Sequence, residues 1–390
     1  MFHQGLHILD VVAVAATAAS LAYFLLCLWS IRAFLRGKQA AGEGARPTQP
    51  VSILKPLRGT DPEMYESFRS HCLQDYPEYE ILFGVSDLQD PAIELVKRLQ
   101  QEFPQRDIRL VMCRQRLGAN VKVSNLAQMV REARHEVLIV NDSDIRVPRD
   151  YLRRVVASLA DSGIGMVTCL YRGIANQTFG SRLEALGIST DFCPGVLVAR
   201  QLEGIKFGLG STLAFRRGNI EAISGFEAIA DYLADDYEIG KRIAALGRKV
   251  ELSEVVVETF LPHYTIGEFF AHQLRWARTI RDARFWGYVG MGVTYGLPWA
   301  ALALILAGGA AWAWGLLAVT AVLRLAVSIY AGQSVLEDRQ VMRLLPLIPL
   351  RDLVAVFVWL ISFAGHTVKW RGDSFRLKNG KLERKQGEVL

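Results

Sequence analysis

The stretch Val137-Leu-Ile-Val-Asn-Asp-Ser-Asp144 decides how this chain is read. Four apolar residues in a row form a strand, and Asp142 and Asp144 follow at its carboxyl end, one residue apart. Two carboxylates on one turn can hold a hard divalent cation that also takes phosphate oxygens. Such a cation neutralises charge on a departing diphosphate. The tripeptide is common, and taken alone a turn rich in Asp and Ser is the better account of it. Its meaning therefore depends on what surrounds it.

Outward from this strand the pattern alternates. Val51–Leu54, Glu80–Val85, Ile108–Met112 and Met166–Leu170 read as further strands. Between them fall helices opening at Asp61-Pro62, by the N-cap and first-turn rule, and covering Pro91–Glu102, Lys122–Ala133 and Pro148–Ala160. Strands alternating with helices of about 10–15 residues imply βαβ units and an α/β domain on a mostly parallel sheet. Ligands in such sheets bind beyond the carboxyl ends of the strands. There is no internal repeat, and the one biased stretch is a Gly/Ala/Pro-rich linker over residues 37–50.

Half of the 390 residues are hydrophobic (51%), and the mean hydropathy is +0.19, which directs attention to membrane spans. Val11–Ile31 runs 21 residues without a formal charge, enough helix to cross about 30 Å of hydrocarbon. A cleaved signal peptide has an apolar region of only about 7–15 residues and a small-residue cleavage site. Leu28-Trp-Ser-Ile31 is a poor one, so the segment reads as an anchor. Tyr288–Leu323 is a second uncharged run of 36 residues, with Gly308, Gly309, Ala310 and Ala311 near its middle. It predicts a hairpin of spans over Tyr288–Leu306 and Trp312–Ala331. A third segment, Leu353–Val368, has 16 residues, which suits a short span, a re-entrant helix or an interfacial one.

Basic residues set orientation. Arg32, Arg36, Lys38 and Arg46 follow the first span against one acid, Glu43, placing the N-terminus outside and the middle domain in the cytoplasm. Lys369, Arg371, Arg376, Lys378, Lys381, Arg384 and Lys385 make the tail basic as well. Three full C-terminal spans would put that tail outside, so the third segment is expected not to cross fully. The chain therefore divides into an anchor (1–36), the linker (37–50), a cytoplasmic catalytic domain (51–265), an interfacial helix (266–287), membrane segments (288–368) and a basic cytoplasmic tail (369–390). Much of the net charge of +6 lies beside the spans, where anionic lipid headgroups account for it more simply than nucleic acid. The cysteines at 27, 72, 113, 169 and 193 lack paired metal spacing and fit reduced thiols.

Other candidate residues stand at strand ends or in loops. Asp87 follows Phe83-Gly-Val-Ser86, where an Asx turn before Pro91 is the plain alternative. Asp235-Asp236 opens a helix over Tyr237–Leu246, which a simple capping pair would also explain. Residues 272–276 read His-Gln-Leu-Arg-Trp. On a helix His272, Arg275, Trp276 and Thr279 share a face. The Arg275 fork suits a diphosphate, and Trp276 offers a wall to a sugar ring or a lipid. An amphipathic interfacial helix uses the same residues.

The joint order is more specific than any member. Asp, D-x-D, Asp and R-W, followed by a membrane hairpin, resembles the motif set of the processive and lipid-directed family 2 and family 21 glycosyltransferases. The likeness covers about residues 50–370 and is strongest to the ceramide glucosyltransferase family. Matching stretches are Val51–Gly59, Gly118–Leu126, Asn141–Val147 and Leu233–Tyr237. Asp191–Gly204 and Phe207–Ala214 resemble the bacterial hopanoid-associated branch, whose members glycosylate bacteriohopanetetrol with N-acetylglucosamine. One departure is His272, where Gln or Arg is usual, with Gln273 one place later.

The resemblance implies a GT-A-type nucleotide-sugar-binding domain with N- and C-terminal transmembrane helices. It implies a UDP-sugar donor, a divalent cation (Mg2+ or Mn2+), a membrane lipid acceptor and no nucleic-acid partner, in a bacterial inner membrane. By position, Asp87 would bind uridine, Asp142 the nucleotide sugar, and Asp144, with Asp142, the metal. Asp236 would be the catalytic base, with Asp235 in the family's Glu place. Arg275 and Trp276 would hold diphosphate and acceptor, with His272 beside them, and Lys55 and Lys122 would add contacts to the donor. The expected reaction is inverting transfer of a hexose or N-acetylhexosamine to a lipid hydroxyl, on bacteriohopanetetrol or, alternatively, ceramide. Residues 183–215 and the membrane hairpin are expected to shape the acceptor site. A short polysaccharide synthase has too few spans here for a channel, and a vestigial scaffold would not keep every acid.

Overall fold

The computed structural model describes residues 2–40, 48–370 and 373–384. Linker residues 41–47, with Glu43 and Arg46, lie outside the described residues, as do Arg371 and Lys385 of the tail. The chain forms two compact units.

One unit comprises residues 41–176, 203–262 and 374–390. Its centre is an eight-stranded sheet: β1 (Val51–Pro56), β2 (Tyr79–Val85), β3 (Asp107–Met112), β4 (Val137–Val140), β5 (Ile145–Arg146), β6 (Ile164–Ile174), β7 (Leu213–Arg216) and β8 (Lys249–Phe260). The order is β3-β2-β1-β4-β7-β6-β8-β5. From β3 to β4 the strands run parallel; β7 enters antiparallel to both β4 and β6. The apolar runs of β1, β2 and β4 are buried along their whole length, as strands covered on both faces must be. Helices Ala92–Glu102 and Val121–Glu132 cover them where the periodicity predicts, while the helix expected from Asp61-Pro62 begins at Met64. The unit also includes the antiparallel pair of Phe375–Lys378 with Lys381–Arg384. Leu382 N–H donates to the Asp231 carbonyl (2.7 Å), and Leu233 N–H to that of Gly380 (3.2 Å).

The expected continuous domain over 51–265 is therefore interrupted: residues 177–202 belong to the other unit, with 1–40 and 263–373. That unit is helical and apolar. Among the described residues, three helices are long and apolar enough to cross a membrane: Ile8–Lys38, Ala311–Val335 and Val341–Ser362. The first hairpin arm departs from expectation, because Phe285–Thr294 and Gly296–Leu306 are bent by 56° at their junction. The third segment differs in its bounds. The helical run over Val341–Ser362 has 22 residues, ends before Val368, and is long enough to cross. Arg351 and Asp352 cut the apolar run in the sequence, yet both are buried in the bundle.

Candidate functional site

The carboxyl edge of the sheet gathers the acidic residues. Asn141, the first residue past β4, is fully buried and anchors the turn. Its amide donates to the Tyr151 hydroxyl (2.9 Å) and the Ser211 carbonyl (2.7 Å), and its Oδ1 lies 3.3 Å from His71 Nε2. A buried amide satisfied on both ends holds one backbone conformation. Asp142 and Asp144 are thereby presented side by side, with Ser143 turned back to donate to Asp61 (2.5 Å).

Lys122 brings two of the acidic motifs together. Asn120 caps its helix, accepting from Val123 N–H at 3.2 Å, so Lys122 projects from the first turn. Its Nζ lies 2.7 Å from Asp142 Oδ1 and 3.0 Å from Asp235 Oδ2. Both carboxylates hold the Lys122 ammonium well above its ordinary pKa despite burial. Lys55, fully buried near the end of β1, donates to the Asp142 carbonyl at 2.9 Å. Burial lowers its pKa to about 7, against the pull of Asp144 and Asp142.

Asp236 is the acid Lys122 does not clasp. It is the second residue of helix Asp235–Ala245, whose N-cap is Ala234, so neither acid is the cap. Its Oδ1 accepts from Tyr237 N–H at 2.8 Å. Burial, then the adjacent Asp235, push its pKa up to about 7, and Lys122 opposes them. Gly210 marks the space between the motifs. A Cβ there would stand 2.8 Å from Asp142 Oδ2 and 3.4 Å from Asp236 Oδ2. The two carboxylates therefore flank a gap kept open by a missing side chain.

Asp144 accepts from the Thr259 hydroxyl at 2.5 Å, and burial and then Asp142 push its pKa up to about 6. Two crowded carboxylates, one recessed, form an oxygen donor pair suited to a hard cation. Among the described residues no three His, Cys, Asp or Glu side chains form a ready cage, so phosphate and water oxygens would complete the shell.

Asp87 lies in the exposed loop after β2, its Oδ1 accepting from Gln89 N–H at 2.9 Å in the Asx turn weighed above. His272, Arg275 and Trp276 lie in the helical unit, on helix Ile266–Ala283, which opens with a Thr265–Glu268 capping box. They share a half-buried face: the His272 and Trp276 rings are 5.4 Å apart, and Phe192 meets Trp276 at 6.1 Å. His272 Nδ1 lies 3.5 Å from Glu184.

Residues 12–383 match the profile of glycosyl transferase family 21. The chain belongs to glycosyl transferase family 21. Among similar proteins, ceramide glucosyltransferase 1 of Caenorhabditis elegans is 27% identical over 234 residues, 60% of this chain and 50% of that protein. The ceramide glucosyltransferase of Komagataella phaffii is 34% identical over 113 residues, 28% of this chain and 22% of that protein. The family 21 chain thus spans about half or less of the relatives it matches. In fold it is similar to a mannosyltransferase of Pyrobaculum calidifontis solved with GDP-Man and Mn2+ (TM-score 0.59, 22% identity), covering 90% of this chain and 99% of that one. The expected GT-A-type fold is thereby shown.

Four residues of this candidate site escaped the sequence reading: Asn141 as anchor, Asp61, Gly210 and Thr259. Gly210 lies in Phe207–Ala214, where the sequence offers a resemblance but no sign that this glycine is the spacer. Thr259 is the penultimate residue of β8, and its partner Asp144 is 115 residues away.

Proposed function

We propose that this protein transfers a sugar from a UDP-sugar to the hydroxyl of a membrane lipid, inverting the anomeric centre in one displacement. The observation that carries the proposal is the meeting of Asp142, Lys122, Asp235 and Asp236 around Gly210. Asp87 takes the uridine and Asp142 contacts the nucleotide sugar. Asp142 and Asp144 would hold a divalent cation, which when bound supplies positive charge to the diphosphate. Lys122 and Lys55 sit where their ammonium groups can add to that charge. The Asp236 carboxylate accepts the acceptor's hydroxyl proton as that oxygen attacks the anomeric carbon. The bond from that carbon to the diphosphate oxygen breaks, and the diphosphate leaves. Arg275, Trp276 and His272 serve the diphosphate and acceptor.

We favour bacteriohopanetetrol with N-acetylglucosamine, supported by the likeness of Asp191–Gly204 and Phe207–Ala214 to the hopanoid-associated branch. Ceramide with glucose is the second reading, favoured by the names of the matched relatives. The test is UDP release and product mass with purified protein, Mn2+, UDP-GlcNAc or UDP-glucose, and bacteriohopanetetrol or ceramide. Product from one pairing is expected, with none after chelation. No UDP release with either lipid would overturn the proposal.

For topology, the N-terminus is placed outside and the catalytic unit in the cytoplasm of a bacterial inner membrane. The bent pair Phe285–Leu306 enters and returns, while Ala311–Val335 and Val341–Ser362 cross. Two crossings return the basic tail to the cytoplasmic side.

A further inference from the structure

Within the helical unit, a chain of buried polar groups runs among apolar helices. Arg324 is its saturated end. Nε donates to Asp352 Oδ2 (2.9 Å), Nη1 to the Thr190 carbonyl and Ser328 hydroxyl (both 2.9 Å), and Nη2 to Asp191 (2.5 Å) and Asp352 (2.7 Å). A cation inside an apolar segment must reach the membrane edge or pair with an acid, and Arg324 pairs. Burial of a charge among spans requires such partners.

Arg351, the next cation, is different. It is 7% exposed, yet only Nη2 is engaged, donating to Gln273 Oε1 at 3.0 Å and lying 3.5 Å from Asp191 Oδ2. Nε and Nη1 are buried without a hydrogen-bond partner, and Asp191 Oδ2 accepts none. An unmet buried donor is costly, so a native chain that keeps two on one guanidinium invites explanation. The Asp191 side chain is 34% exposed, and its Oδ2 is turned inward beside Arg351. It lies on a wide π-type turn, Ile188–Phe192, a deformation frequent at functional sites.

We infer that Arg351 and Asp191 bind the neutral, hydroxylated head of a membrane lipid, with the Arg351 fork donating to a head oxygen and Asp191 Oδ2 accepting from its hydroxyl. A hydroxyl is both donor and acceptor, matching the two unmet functions; a phosphate or carboxylate is acceptor only. Charge points the same way. Arg324 and Arg351 face Asp191, Asp352 and Glu184, the last accepting from Gln273 Nε2 at 2.6 Å. An anionic head would add a further negative charge beside three carboxylates that Arg324, Arg351 and His272 already serve. This inference rests on the lipid acceptor proposed above and names the groups that select it.

The test measures lipid binding without sugar nucleotide, so it succeeds or fails independently of transfer. Full-length protein in detergent is titrated with bacteriohopanetetrol, ceramide or phosphatidylglycerol, and adducts are read by native mass spectrometry. One neutral hydroxylated lipid should bind at least tenfold more tightly than phosphatidylglycerol. Asp191→Asn should weaken it about tenfold and leave UDP-sugar affinity unchanged. Gly187→Ala is the second variant: its Cβ would fall 2.8 Å from Arg351 Cζ, displacing the fork with every charge and every partner side chain kept. It should weaken lipid binding in the same direction with an unchanged melting temperature. Equal lipid binding by wild type and both variants, or preference for phosphatidylglycerol, overturns the inference. Selective lipid binding without UDP release would sustain it while sinking the transfer reading.

Discussion

Replacing Asp236 by Asn removes one negative charge and little else. The amide oxygen can still accept from Tyr237 N–H, and Lys122 still joins Asp142 to Asp235, so UDP-sugar affinity should stay within a few-fold. Loss of a positioned base should lower turnover by about two to four orders of magnitude, or about 3–5 kcal/mol in the barrier. The wild-type rate should fall about tenfold per pH unit below about 7, where this carboxyl takes up its proton. Positive charge bound at Asp142 and Asp144 should move that limb to lower pH, and the Asn variant should lack it. Stability has the opposite sign. The pKa is raised in the folded state, so between about 4 and 7 the folded chain holds the proton that the unfolded chain has lost. Stability therefore falls as pH rises through this window. Donor-free Asp236→Asn should melt above wild type at pH 8, with the gap closing toward pH 4. The assay is nucleotide binding, steady-state turnover and melting for Asp236→Asn and Asp235→Asn together. Near-normal turnover in Asp236→Asn with collapse in Asp235→Asn would move the base by one residue. Near-normal turnover in both would leave the pair as the opening of its helix and refute the reasoning.

Gly210→Ala should cut turnover at least tenfold with unchanged circular dichroism, because its Cβ would crowd the Asp142 and Asp236 carboxylates. Arg324→Leu strands Asp352 without its cation and should cost about 3–5 kcal/mol, read as a lowered melting temperature in detergent. Exhaustive chelation should abolish turnover, with Mn2+ restoring it; full turnover in EDTA would remove the role of Asp142 and Asp144 in metal binding. A single cysteine placed in linker 37–50 should react with an impermeant maleimide only from the cytoplasmic side, and labelling in intact cells would invert the topology.

Local pattern carried much of the fold. The apolar runs at Val51, Glu80 and Val137 became parallel strands because side chains buried on both faces of a sheet leave a continuous hydrophobic signature, and the run at Ile108 became the half-buried edge strand beside them. The acids at 87, 142, 144 and 236 were legible as candidates because strand ends and helix mouths are where such sheets bind ligands. What the sequence could not convey depends on distance in space. Asp142 and Asp235 share one lysine although 93 positions apart, and Gly210 shows its purpose only against the carboxylates beside it. Arg351 and Asp352 looked like the end of a span, since local hydropathy counts charge and ignores partners. Only tertiary structure supplied Arg324 to Asp352, and left two donors of Arg351 unmet, because pairing across helices, not composition, decides which charges an apolar bundle can bury.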